Sequence, residues 1–296
     1  MLDIDTEEEL VQLVGGKFRL TALIQKRMAE LNRGAPPLVE FENNEKPDLR
    51  TIVIKEITRF LRIWQQTILP PAITTTLYFV IFGNLIGPRI GQMDGFNYMD
   101  FIVPGLILMA VITSSYSNVV SSFFGAKFMR SVEEILVSPT PNVIILTGFV
   151  VGGMARGIIV GLVVTLVSLF FSDLRIHDPA VLASVVILTA ILFSLGGFIN
   201  AVFAKSFDDV SIVPTFVLTP LTYLGGIFYS IHLLPEFWQG VSMANPILYM
   251  INAFRFGFLG ISDINIAFSY AIIIIFILVL FALSLRLLHR GYGIRQ

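Results

Sequence analysis

Residues 124–141 read FGAKFMRSVEEILVSPTP, a short charged segment between two runs too apolar for a water-soluble domain. Its apolar residues Phe128, Val132, Ile135 and Leu136 recur at i, i+4, i+7 and i+8, one stripe of a helix. Lys127, Arg130, Glu133 and Glu134 occupy the other faces. Ser131 is placed to cap the turn leading to Glu134, and Pro139 with Pro141 ends the helix. A helix this short and charged cannot span a bilayer. It lies on a membrane surface, fits a groove in a partner, or serves as a solvated connector.

The flanks set the fold class. Of 296 residues, 55% are hydrophobic and 14% charged, where soluble domains are about a quarter charged. The mean hydropathy is +0.81. Residues 1–62 hold 21 of the 41 Asp, Glu, Lys and Arg, so the first fifth is a separate polar zone, too hydrophilic to span and too short for a large core. The rest predicts an all-α polytopic membrane protein with six spans near 69–86, 101–124, 143–171, 180–204, 210–229 and 267–288. Between the last two, Pro235, Gly240 and Pro246 break an apolar stretch. That fits a re-entrant pair of short helices, or an amphipathic loop lying on the outer surface.

Lys55, Arg59, Arg62, Lys127, Arg130, Lys205, Arg286, Arg290 and Arg295 fall on one side of this layout, and Arg89, Arg175 and Arg255 on the other. Positive residues collect inside, so both termini are expected in the cytoplasm. Ahead of the first span, residues 51–68 predict an interfacial helix. Its stripe is Val53, Ile57, Phe60, Leu61, Trp64 and Ile68, with Lys55, Arg59 and Arg62 opposite and Pro70–Pro71 starting the span. The acidic start MLDIDTEEEL has no basic region followed by an apolar one, so no cleavable signal peptide is expected.

Residues 55–296 resemble the membrane subunit of ABC-2 type exporters, of the YadH-like inner-membrane permease group. The likeness rests on KEITRFLRIW, LYFVIFGNLIG, FIVPGLI, SSFFGAKF, FAKSFDDVSIVPTFVLTPLTYLGGIFYS and RFGFLGI. The family signature falls on Gly225, Pro235, Pro246, Tyr249 and Arg255, among others. The resemblance implies that residues 127–139 form the coupling helix that docks on a separate ABC ATPase subunit. It also implies that the permease is a homodimer, and that ATP and magnesium are bound by the partner chain. Residues 1–57 instead resemble the omega subunit of bacterial RNA polymerase through GGKFRLTALIQKR and GAPPLV, which suggests a fusion or chimera. The division is then 1–50, a small helical cytosolic appendage, and 51–296, the transmembrane domain.

No catalytic constellation stands out. Gly16-Lys17 superficially matches a phosphate loop, but Val11 stands where its first glycine belongs and Phe18 where Ser or Thr would reach magnesium. His177, His232 and His289 lack metal-ligand spacing, and with no cysteine there is no thiolate chemistry. A net charge of -1 carries no nucleic-acid signal. Arg156 is the exception, deep in the third span within VGGMARGIIVG. A charge there faces a translocation path or dimer seam, or else bonds backbone carbonyls. Gly152, Gly153, Gly157 and Gly161 suit close helix packing. Asn84, Asn118 and Asn200 either line a path or bond neighbouring helices. Two functions follow: the permease half of an ATP-driven exporter of a drug, lipid or glycan-like substrate, or a gradient-driven transporter or channel. The second normally places carboxylates at mid-membrane, and none is read there. A membrane-tethered polymerase accessory protein is a third reading, resting on the omega likeness alone.

Overall fold

The computed structural model of the protein describes residues 48–129 and 140–291. Residues 1–47 of the omega-like segment lie outside the described residues, as do Arg130, Val132, Glu133, Glu134, Ile135 and Leu136 of the expected coupling helix.

Helix α1 (Leu49–Arg62) opens on Asp48, whose carboxylate accepts from the Thr51 amide at 2.7 Å and the Thr51 hydroxyl at 2.6 Å. These bonds hold the Asp48 carboxyl below its usual range, the hydroxyl having the larger effect. After a break at Ile63 the chain enters α2 (Trp64–Ile90), whose winding restarts at Leu69 with Pro70 and Pro71 in its first turn. Residues Phe79–Ile86 of α2 are wound as a π-helix. A hairpin follows, with β1 (Gln92–Met93) antiparallel to β2 (Phe96–Asn97). Its two-residue turn has Asp94 at φ 50° and Gly95 at φ 83°, the left-handed pair that matches strand twist and that Asp-Gly adopts readily.

Helices α3 (Tyr98–Phe128), α4 (Asn142–Ser168) and α5 (Pro179–Phe203) form the centre of the bundle. Glycines set how closely they approach. A Cβ at Gly153 would fall 2.5 Å from Val119 Cγ2, one at Gly161 2.7 Å from Val111 Cγ2, and one at Gly197 2.5 Å from the Tyr116 carbonyl oxygen. Small residues thus let α4 and α5 meet α3 nearly backbone to backbone. The glycines of α4 serve different neighbours: Gly157 and Gly161 face α3, Gly153 meets both α3 and α5, and Gly148 and Gly152 face α1.

The segment expected as a fifth span over 210–229 is different. Helix α6 covers residues 207–223 in three pieces, Phe207–Val213, a π-wound turn at Pro214–Leu218, and Thr219–Tyr223. Pro214 and Pro220 lack the amide that a regular α-helix would use, and the chain then turns at Gly226. Among the described residues, five helices are therefore long and apolar enough to cross a membrane: α2, α3, α4, α5 and α9 (Ile266–Arg290). Between α6 and α9 lie two short helices, α7 (Glu236–Met243) and α8 (Pro246–Leu259). Helix α8 is buried along most of its length against α3, α5 and α9. Of the most apolar window of α3, 78% is buried, against 17% in α2 and 11% in α9. Helix α3 is the core, and α2 and α9 present apolar faces to the surroundings.

Candidate functional site

Three places draw the sequence-predicted residues together. The first is the far end of α3. Phe124, Phe128 and Phe207 form an aromatic cluster, with the Phe207 ring 5.0 Å from each of the other two centroids. Phe124 is buried, whereas Phe128 remains 63% exposed and Met129 80%. The apolar stripe thus starts as an uncovered surface at the point where the chain leaves the bundle.

The second is a polar network that the reading of residues 51–68 missed. Of the expected stripe Val53, Ile57, Phe60, Leu61, Trp64 and Ile68, only Phe60 is fully buried, whereas Val53, Ile57 and Ile68 are partly covered. The buried face of α1 is Ile52, Glu56 and Phe60, with Leu61 and Trp64 exposed. The helix packs along α4, where a Cβ at Gly152 would fall 2.5 Å from the Glu56 Cβ. Glu56 is only 2% exposed. Its Oε1 accepts from the Ser122 hydroxyl at 2.7 Å, and its Oε2 pairs with Arg59 Nη2 at 3.3 Å. The same Arg59 nitrogen donates to Asn118 Oδ1 at 2.9 Å and to the Asn118 carbonyl at 3.1 Å. A buried charge survives when it is paired and hydrogen-bonded, and this one is. The signal was present in the sequence. Ile52, Glu56 and Phe60 are spaced four apart, matching the Gly148 and Gly152 groove of α4. Glu56 is a buried carboxylate that the sequence reading did not single out, carried by the helix ahead of the first span and not by a spanning helix.

Arg156 adjoins this network, 9% exposed on α4. Its Nη2 donates to the Thr67 carbonyl at 3.2 Å, and the Thr67 hydroxyl donates to the Phe60 carbonyl at 2.9 Å. The Arg156 Nε is buried without a partner among the described residues. Arg156 thus clasps the elbow between α1 and α2. An apolar replacement avoids burying a charge, so Arg156→Met is expected to leave the melting temperature equal or higher. It is nevertheless expected to lower ATP turnover in the assembled transporter, because the elbow is no longer held. Normal turnover by a well-expressed Arg156→Met would limit the residue to packing.

The third place is the α6–α8 region, which carries the signature residues. Arg255, counted above among the loop cations, is buried in α8. Its Nη2 donates to the Gly226 carbonyl at 2.6 Å, and its guanidinium lies 3.8 Å from the Phe101 ring centroid. Gly225 meets Ile247 and Ile251, where a Cβ would come within 3.0 Å. Asn245 caps α8, accepting from the Ile247 amide at 3.0 Å and donating to the Leu221 carbonyl at 2.6 Å. Pro246 occupies the first turn of α8, Pro235 precedes α7, and the Tyr249 hydroxyl donates to the Met243 carbonyl at 2.6 Å. These residues pin the short helices to α6.

The candidate path residues are not brought together. Asn84 is exposed on α2, whereas Asn200 on α5 donates to the Val210 carbonyl at 3.0 Å and so holds the start of α6. Among the histidines, the His177 ring lies edge-on to Phe256, and His232 approaches Asp263 at 3.8 Å.

Comparison with known proteins fits this arrangement. The family described as ABC-2 type transporter matches residues 47–259. The chain is 59% identical over 248 residues to the inner membrane transport permease YadH of Escherichia coli (strain K12), covering 84% of this chain and 97% of that protein. It is 24% identical over 217 residues to nodulation protein J of Rhizobium leguminosarum bv. viciae, covering 72% of this chain and 83% of that protein. The omega-like reading of residues 1–57 draws no support from these matches. With a match that spans most of its length, the chain belongs to the ABC-2 type transporter family.

Proposed function

We propose that the chain is the permease subunit of an ATP-driven exporter in the bacterial inner membrane. It crosses six times with both termini cytoplasmic, α6 being the fifth crossing despite its broken winding and α7–α8 a re-entrant hairpin before the last span. Residues 1–50 form a cytosolic appendage and 51–296 the transmembrane domain. The subunit performs no hydrolysis itself. ATP and magnesium belong to a separate ABC ATPase, and two permease copies pair. The observation that carries this reading is the uncovered Phe128–Met129 surface at the end of α3. It begins the amphipathic segment on the side where lysine and arginine collect. The name of the Escherichia coli relative supports the inner membrane and the permease role. A drug, a lipid and a glycan-like molecule all fit the reading as substrate.

Glu56 gives a gradient-driven transporter one specific observation, since it is a buried carboxylate. Its pairing with Arg59 and Ser122 argues for a structural role instead. Co-expression with its ATPase and purification in detergent is the deciding experiment, and a stable complex with vanadate-sensitive ATP hydrolysis is expected. Ion-driven uptake by the permease alone, with no associated ATPase, would favour the second reading. In intact cells expressing the permease, Arg89→Cys and Asp173→Cys are expected to react with an impermeant maleimide added outside. Met129→Cys is expected not to react, and labelling of Met129→Cys from outside would reverse the orientation.

A further inference from the structure

Helix α5 ends with carbonyls that its own last turn cannot satisfy, and it has no basic residue there. The cation comes from another helix. Lys127, on the last turn of α3, directs its Nζ to the Ala204 carbonyl at 2.7 Å, the Val202 carbonyl at 2.8 Å and the Ala201 carbonyl at 3.5 Å. An ammonium placed on the open C-terminal carbonyls meets the negative end of the helix dipole and makes charge-assisted bonds.

The turn that follows is braced. The Asp209 carboxylate accepts from the Lys205 amide at 2.9 Å and the Ser206 amide at 3.1 Å, and the Ser206 hydroxyl accepts from the Asp209 amide at 3.2 Å. This reciprocal cap fixes the direction in which α6 leaves the turn. Directly beside it, Phe207 lies against Phe124 and Phe128 of α3. The end of α3 therefore holds both sides of one rigid turn, α5 through charge and α6 through rings. Helix α6 also has broken winding, as α2 does, the kind of element that can change shape without losing the whole fold.

We propose that Lys127 is a positioning residue that ties the end of α3 to the α5–α6 turn, so that displacement of that end of α3, where Phe128 lies, is passed to α6. This rests on the exporter reading above. Methionine at 127 would keep the apolar stem but leave the α5 carbonyls uncapped, whereas arginine would keep the charge and the donors.

The chain has no cysteine, so a labelled pair needs no background removal. Leu162→Cys and Phe216→Cys, on α4 and α6, are 60% and 73% exposed and accept spin labels. In the assembled complex, Mg-ATP with orthovanadate is expected to shift the distance between these labels. Lys127→Met is expected to abolish the shift while the ATPase stays bound and still hydrolyses ATP, and Lys127→Arg to restore it. A normal shift in Lys127→Met overturns the proposal. So does release of the ATPase, which would make Lys127 part of the docking surface. Hydrogen exchange on the permease alone tests the contact without the partner: amides of residues 203–207 should exchange about tenfold faster in Lys127→Met, and unchanged protection overturns the tie. A wild-type complex with no shift at all would instead sink the exporter reading, and the exchange result then decides the Lys127 contact by itself.

Discussion

Glu56→Ala is expected to release α1 from the bundle. The carboxylate accepts from Ser122, and it shares Arg59 with Asn118. Its removal leaves a buried hydroxyl without its acceptor and a half-buried guanidinium without its counter-charge. Orphaned partners of this kind cost about 2–3 kcal/mol, less than a fully buried pair because the Arg59 side chain is 31% exposed. Trypsin should then cut after Lys55 and Arg62 far faster than in the parent, and the melting temperature of the detergent-purified protein should fall by several degrees. Glu56→Gln, which keeps an acceptor for Ser122, should do less. Gly152→Leu should reach the same undocked state by steric means, since its side chain would occupy the space of the Glu56 stem. Equal trypsin resistance and melting in Glu56→Ala and parent would mean that the network does not hold α1.

The second large effect is expected at the coupling segment. Phe128→Asp combined with Ile135→Asp should separate the permease from its ATPase. Burial of one large apolar side chain contributes about 1.5–3 kcal/mol, so loss of two amounts to roughly a hundredfold or more in Kd. Arg130, Glu133 and Glu134 would set register and partner choice more than bulk affinity. Phe128 is mostly exposed at the end of α3, so the exchange to aspartate should leave insertion and the core helices intact. Retained ATP hydrolysis on a co-purified complex of the double variant would reduce the segment to a connector. The effect is also distinct from that of Lys127→Met, which is expected to keep the ATPase bound.

Composition and periodicity by themselves determined the membrane class, and apolar runs placed five long helices with ends within a few residues of those observed. That information is local: a run of about twenty apolar residues has few alternatives to a spanning helix. Glycine spacing on α4 foretold close packing, and the breaks at Pro235, Gly240 and Pro246 foretold the short helices before the last span. The break in α6 was not legible, because Pro214 and Pro220 alone do not say how neighbouring winding absorbs a missing amide. The polar face of α1 was not legible for a different reason. Hydrophobic periodicity marks the apolar stripe, whereas Glu56 is buried because Ser122 and Arg59 satisfy it, with Arg59 held in turn by Asn118. Lys127 read as one charge on an amphipathic helix and proved to be the cap of another helix some 75 residues away. Sequence pattern decides which segments leave water, since transfer energy is a property of each segment. Tertiary structure decides which polar groups find partners, since a hydrogen bond is a property of two.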